Sequence, residues 1–201
     1  MNYRDHCKEL NFPIPREPVV FNKFPSCVIG PDDSLKYPGY TEALDWEAEL
    51  AIVIGKTAKY IQVKDAMEYV FGFTVANDVT ARDWMKKNGG QAVLGKARDQ
   101  FCPLGPSILT KDEINDPHNL RISCKVNGNL KQDSNTNQLI HKTEQIIAYI
   151  SRFITLKPGD LILTGSPPGV GYCRTPPESL KIGDVVEVAI EHIGTITTKI
   201  I

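Results

Sequence analysis

Hydrophobic and polar positions along the chain change period several times, and each change marks a predicted element. Residues 50–54 (LAIVI) are continuously apolar and mostly β-branched and stop at Gly55, the pattern of a buried strand. Residues 71–78 (FGFTVAND) read as a second strand running into an Asn-Asp pair. Residues 120–126 (LRISCKV) alternate, and Asn127-Gly128 behind them is the strongest hairpin signal in the chain, so a return strand carrying Gln132 is expected. Further strands are predicted at 161–163, 185–190 and 195–201, with a short one at 19–21 that delivers Lys23. Helical spacing occurs at 64–70 and, over the longest run, at 143–155. There Thr143 is the expected cap, Ile146, Ile147, Ile150 and Phe153 form the apolar stripe, and Pro158-Gly159 is the stop. One or two helical turns in residues 1–10 would set His6 and Glu9, three apart, on one face. Between them and the first long strand, prolines 13, 15, 18, 25, 31 and 38 forbid any long helix.

Strands outnumber helices in this reading. Length and apolar content (201 residues, 41%) predict one domain spanning 1–201 that builds a core without staples. A net charge of −1 gives no electrostatic reason to expect nucleic acid or an anionic membrane as partner. The cysteines are odd in number and lack C-x-x-C spacing, which argues for reduced thiols in an intracellular setting and against a zinc site. No apolar run approaches a membrane span, and the N-terminus has neither a secretory h-region nor an arginine-rich presequence.

The candidate chemistry begins where carboxylates enter the first long strand. Glu47 and Glu49, two apart, project to one face, with Trp46, Ala48 and Leu50 on the other. Two like charges in a half-buried place require a shared proton, basic partners or a divalent cation, unless the strand is an edge and both groups are solvated. Asp78, at the end of the second strand, is the candidate third oxygen ligand. Such a set leaves room for water and substrate around magnesium or manganese and suits them better than zinc. Arg82, four residues on and one turn along a helix begun at Asp78, could grip a substrate carboxylate. Lys96 could bind an anionic substrate or carry a proton, and Lys23 could face substrate. His6 beside Glu9 is the arrangement a general base needs. The turn Thr164-Gly165-Ser166-Pro167-Pro168-Gly169-Val170-Gly171 can bring backbone N–H groups to an anion, but lacks the lysine and spacing of a P-loop and the G-x-G-x-x-G of a dinucleotide site.

Taken in order, N-Y-x-D-H-x-x-E, D-W-E-x-E-L-A-x-V-I-G, N-D-V-T-A-R-D-W, G-K, N-G-x-x-x-Q and T-G-S-P-P-G-V-G resemble the fumarylacetoacetate hydrolase family over essentially the whole chain. The resemblance implies an α+β, mainly β fold, a mixed β-sheet roll with a few short helices and the site at its mouth, and a homodimer. It implies a Mg2+ site, with Mn2+ or Ca2+ as alternatives, at Glu47, Glu49 and Asp78. It further implies a catalytic dyad at His6 and Glu9 that orders with a lid formed by residues 1–10, Lys96 as a catalytic contact, and substrate contacts at Arg82, Thr164, Lys23 and Gln132. The chain starts almost on top of its first motif, so any preceding N-terminal segment is expected to be absent and the dyad to sit on a fraying terminus. Relatives of the nearest subgroup imply a mitochondrial setting, whereas the sequence itself, without a presequence, allows the cytoplasm. Ser166 stands where threonine is commoner, which keeps a hydroxyl, and Met85 stands where some hydrolases have glutamine, which removes a polar contact.

Family chemistry acts on a 2-oxo dicarboxylic acid or β-dicarbonyl through an enolate. Return of a proton gives keto–enol tautomerisation, attack by water gives C–C hydrolysis of an acylpyruvate, and loss of carbon dioxide gives decarboxylation. The nearest subgroup implies tautomerisation of oxaloacetate, with acylpyruvate hydrolysis and decarboxylation as alternatives. A catalytically idle metal-binding scaffold is the rival of another class.

Overall fold

The protein is seen here in a computed structural model that describes residues 1–87 and 89–201, Lys86 for its backbone alone. In chain order the elements are α1 (Arg4–Glu9), β1 (Val28–Ile29), β2 (Leu44–Asp45), β3 (Ala48–Ile54), β4 (Val70–Asn77), β5 (Thr80–Ala81), α2 (Arg82–Lys87), α3 (Val93–Lys96), β6 (Cys102–Thr110), β7 (Arg121–Val126), β8 (Asn129–Asn135), α4 (Thr143–Ser151), β9 (Leu161–Leu163), β10 (Val185–Ile190) and β11 (Gly194–Lys199). One sheet has the order β1-β6-β4-β3-β9, a second β11-β10-β7-β8, and β2 pairs with β5. Among the named strands of the described residues only the β1–β6 pair is parallel, so the larger sheet is mixed as expected.

Alternation along the strands sets which residues meet between the sheets. From β3, Ala48, Leu50, Ile52 and Ile54 enter one core with Phe73 and Val75 of β4, and with Ile122, Cys124, Val186, Val188 and Ile196 from the second sheet. Ala51 and Val53 are equally buried but lie on the opposite face of β3, the face that also carries Glu49. The antiparallel register sets Leu50 against Val75 and Glu49 against Ala76. Continued by one pair beyond Ala48 and Asn77, it places Asp78 opposite Glu47, and the Asp78 N–H donates to the Glu47 carbonyl at 2.9 Å. Convergence of the three carboxylates is thus a consequence of strand register.

Several elements differ from the sequence reading. Residues 64–70 form a 3-10 stretch (Val63–Tyr69) in place of an α-helix: only Ala66 of it is buried, and no side chain caps its start. No strand forms at 19–21; Val19, Val20 and Phe21 are exposed on an extended arm whose prolines lack ladder donors. The helix after β4 begins at Arg82, because residues 80–81 pair with β2 first. α4 ends at Ser151, leaving Phe153 64% exposed with its ring against Tyr149. Thr143 is the first helical residue, and Lys142 takes the cap position; the Thr143 N–H donates to His118 Nε2 at 3.2 Å, and Gln145 Oε1 accepts from the Lys142 N–H at 2.9 Å. The hairpin turn is as expected, with Asn127 and Gly128 both at positive φ.

The first residues are not frayed. Asn2 donates to the carbonyls of His141 and Thr164, Tyr3 is fully buried and bridges Leu139, and Cys7 is buried beneath α1. The turn after β9 is clamped from the other side. Gly169 has φ +96°, and a Cβ there would sit 2.1 Å from the Lys131 carbonyl oxygen of β8. Gly159 has a similar φ of +90° with open space around it. Gly159→Ala is therefore expected to cost about 1–2 kcal/mol in urea unfolding, and Gly169→Ala clearly more because the turn must also move. Equal midpoints for the two variants would contradict this packing.

Candidate metal centre

Glu49 of β3, Glu47 just before it and Asp78 just after β4 bring the carboxylates together, and α2, α3 and the arm supply the cations around them. Glu49 and Asp78 are 3% and 1% exposed, and Glu47 is only slightly more open at its side chain. One oxygen each from Glu47, Glu49 and Asp78 lies within 4.8 Å of the others, an all-oxygen set that could hold one hard divalent ion. Lys96, buried at the end of α3, places Nζ 2.6 Å from Asp78 Oδ2 and 2.8 Å from Glu47 Oε2. The arm returns over the site, so Lys23 Nζ lies 2.7 Å from Asp78 Oδ1 and also donates to the Lys96 carbonyl. Arg82, at the start of α2, meets Glu47 Oε1 at 2.6 Å and Asp45 Oδ2 at 2.7 Å.

Glu49 is left over. Among the described residues, four carboxylates, counting buried Asp45, face three cationic side chains, and Glu49 accepts only the Gly165 N–H, at 2.5 Å. Its pKa is accordingly raised well above the ordinary carboxylate range, by burial first and then by Asp78 and Glu47. Glu47 is also pushed up by burial, but Lys96 and Arg82 outweigh this and hold it low. Burial lowers the Lys96 pKa, and Asp78 and Glu47 more than restore it, so it stays an ammonium. A divalent ion would satisfy the leftover carboxylate and turn the cluster from net negative to net positive, which suits an anionic ligand. The donor set therefore fits a hard divalent cation.

The turn after β9 contributes backbone donors, as its composition suggested, but gives them to protein carboxylates. Gly165 N–H serves Glu49, Gly169 N–H serves Glu9 Oε1 at 3.0 Å, and Gly171 N–H serves Asp45 Oδ1 at 2.7 Å. His6 and Glu9 meet as expected, Nδ1 to Oε2 at 2.7 Å. Thr164 and Gln132 lie beside this turn with their polar atoms engaged. The Thr164 hydroxyl donates to the Leu50 carbonyl, while Gln132 accepts from the Ala48 N–H and donates to Ser166 Oγ and the Pro167 carbonyl. Both fix the turn against β3. Arg82, Lys96 and Lys23, read from sequence as substrate contacts, sit in the carboxylate cluster itself.

Asp45 is the functional position that the sequence reading passed over. It binds Arg82 and accepts the N–H groups of Trp46, Gly171 and Tyr172, tying the turn to the cluster. The available signal was its spacing: Asp45, Glu47 and Glu49 share one parity along the chain.

Comparison with known proteins places this geometry. The family described as "Fumarylacetoacetate (FAA) hydrolase C-terminal" matches residues 1–201. "Oxaloacetate tautomerase fahd2, mitochondrial" of Xenopus laevis is 58% identical over 202 residues, covering 100% of this chain and 63% of that protein. The chain thus spans somewhat under two thirds of the length of that relative. Among solved structures, fumarylacetoacetate hydrolase from psychrophilic Exiguobacterium antarcticum is 42% identical with a TM-score of 0.92, covering 99% of this chain and 72% of the other. Fumarylpyruvate hydrolase from Pseudomonas aeruginosa in complex with Mn2+ and pyruvate is 32% identical with a TM-score of 0.88, covering 100% and 86%.

Removing the leftover charge separates folding from metal binding. Without divalent ions, Glu49→Gln is expected to raise stability at neutral pH by about 1–3 kcal/mol. The sign follows from linkage. The folded state holds the Glu49 proton after the unfolded chain has lost it, so wild-type stability falls as pH climbs from the ordinary carboxylate range toward the raised pKa. The variant lacks this slope and also loses the thermal stabilisation that Mn2+ gives the wild type. Lower metal-free stability with an unchanged slope would contradict the assignment.

Proposed function

The chain belongs to the fumarylacetoacetate hydrolase family, and on that premise we propose that it is a divalent-metal-dependent enzyme that interconverts enol and keto oxaloacetate. The observation that carries the proposal is the leftover buried carboxylate among Glu47, Glu49 and Asp78, with fixed cations on every side but its own. The name of the Xenopus relative supports oxaloacetate as substrate. We assign Mg2+ as the physiological ion, with Mn2+ as a substitute, because the donors are all hard oxygens. When bound, that ion would supply Lewis-acid polarisation of the 2-oxo group.

Every other part of the reaction falls to the chain itself. Lys96 has three N–H donors, two of them engaged by carboxylates; the third is assigned to the oxygen on which negative charge develops. Burial of the ammonium makes that donation stronger than it would be in water. Tautomerisation also needs a proton moved between carbon and oxygen, and His6, oriented through Nδ1 by Glu9, is assigned as its carrier. Arg82 holds Glu47 in place from Asp45 and adds positive charge near the substrate carboxylate. Thr164 and Gln132 keep the turn in register as the wall of the site.

A second reading, hydrolysis of an acylpyruvate, draws support from the same dyad, since a His–Glu pair can activate water. We further propose a homodimer. Phe12, Ile14, Val19, Val20, Phe21 and Phe24 form an exposed apolar run on the arm that carries Lys23, an expected place for a second copy to pack.

Freshly dissolved enol-oxaloacetate tests the assignment. With Mg2+ the enol absorbance is expected to decay faster than the buffer rate without release of pyruvate, and chelator should abolish the effect. His6→Ala should slow the decay by about 100-fold or more with Mn2+ affinity intact. Pyruvate released at the rate of enol loss would establish decarboxylation, and turnover of acylpyruvates alone would establish the hydrolase reading.

A further inference from the structure

A second set of metal-ligating side chains lies outside the carboxylate cluster, at the dyad. Ligand atoms of His6, Glu9 and Cys173 all fall within 4.8 Å of one another. They come from two pinned elements: α1, held through Asn2 and Tyr3, and the turn at Cys173, held by the Gly171 and Tyr172 N–H groups on Asp45. Gly169 N–H joins the two by donating to Glu9. We propose that imidazole, carboxylate and thiol form a regulatory site for a borderline-soft divalent ion of the Zn2+ class, distinct from the hard-ion centre.

The chemistry of the donors decides the class. One nitrogen, one sulfur and one oxygen match the ligand preference of zinc and are poor for magnesium. Bonds of about 2.0–2.3 Å in a tetrahedron set donor atoms about 3.3–3.7 Å apart, so His6 Nδ1 and Glu9 Oε2, 2.7 Å apart, open slightly to admit the ion while the Cys173 thiol stays within reach, with water as the fourth ligand. On binding, the ion replaces the hydrogen bond between His6 and Glu9: the neutral imidazole ligates through one ring nitrogen and keeps its N–H on the other, while the Cys173 thiol becomes a thiolate and its proton leaves to solvent. A nucleophilic role for the cysteine is disfavoured, since burial and the Glu9 charge push its thiol up to about 11. The other four cysteines are buried, so Cys173 is the thiol that solvent ions reach most readily. An ion here immobilises the dyad. That inhibition rests on the catalytic role assigned above to His6 and Glu9; the binding does not.

The test uses the full chain with saturating Mg2+ in the carboxylate cluster. Added Co2+ should bind once per chain with an intense near-ultraviolet thiolate-to-cobalt band, which Zn2+ then bleaches. Cys173→Ser should lose the band and retain enol-oxaloacetate turnover. Half-inhibition of that variant should require at least about tenfold more Zn2+, the loss expected on removing a ligand. Absence of the band in the wild type, its persistence in the variant, or equal sensitivity of the two to Zn2+ would overturn the site. If the chain proves inert toward oxaloacetate, the cobalt spectra of the two proteins decide the binding by themselves.

Discussion

Burying more negative than positive charge is the constraint on which this structure turns. A lone carboxylate out of water costs several kcal/mol unless something compensates it. Lys96, Lys23 and Arg82 compensate three of the four acids gathered from β2, the start of β3 and the end of β4, and among the described residues Glu49 accepts only a backbone N–H. The fixed cations do more than neutralise. They hold Glu47 ionised and aim both it and Asp78, so a divalent ion would meet ligands already in place. The residual negative charge is the driving force for taking that ion up. With such an ion bound, the site would carry a positive surplus, which suits an anionic ligand.

Fold and site are joined by one turn. Residues 164–171 run along β3 and give N–H groups to Glu49, Glu9 and Asp45 in succession. Gln132 reaches across from β8 to fasten the same turn to the start of β3. Glycine is required at 169 because β8 leaves no room for a side chain. The carboxylate cluster, the dyad and the cysteine beside it are therefore all fastened to one turn.

Much of this was legible in the sequence, for identifiable reasons. Period-two spacing put Glu47 and Glu49 on one face, and helical spacing put His6 beside Glu9, because both are local geometry. Asn127-Gly128 marked its hairpin because few residues tolerate those dihedrals. What was not legible depends on tertiary partners. Pairing of residues 80–81 with β2 delayed the helix to Arg82, and the fold sets the Arg82 guanidinium against Asp45 and Glu47. Thr164 and Gln132 carry motif signatures, yet only packing shows that backbone groups occupy them. The expectation of a fraying N-terminus failed because Asn2 and Tyr3 find partners more than 130 residues away. The argument against any zinc site rested on cysteine spacing along the chain, and Cys173 meets His6 and Glu9 only through the fold.

The central claim is that Glu47, Glu49 and Asp78 form a divalent-ion site open to a 2-oxo acid. Electron paramagnetic resonance of Mn2+ added to the metal-free protein, before and after oxalate as a mimic of the pyruvate enolate, tests it most directly. One Mn2+ bound per chain, with a spectrum that changes on adding oxalate and is lost in Asp78→Asn, is the predicted result. Manganese that stays free in solution, or a bound signal indifferent to both oxalate and Asp78, would contradict the account.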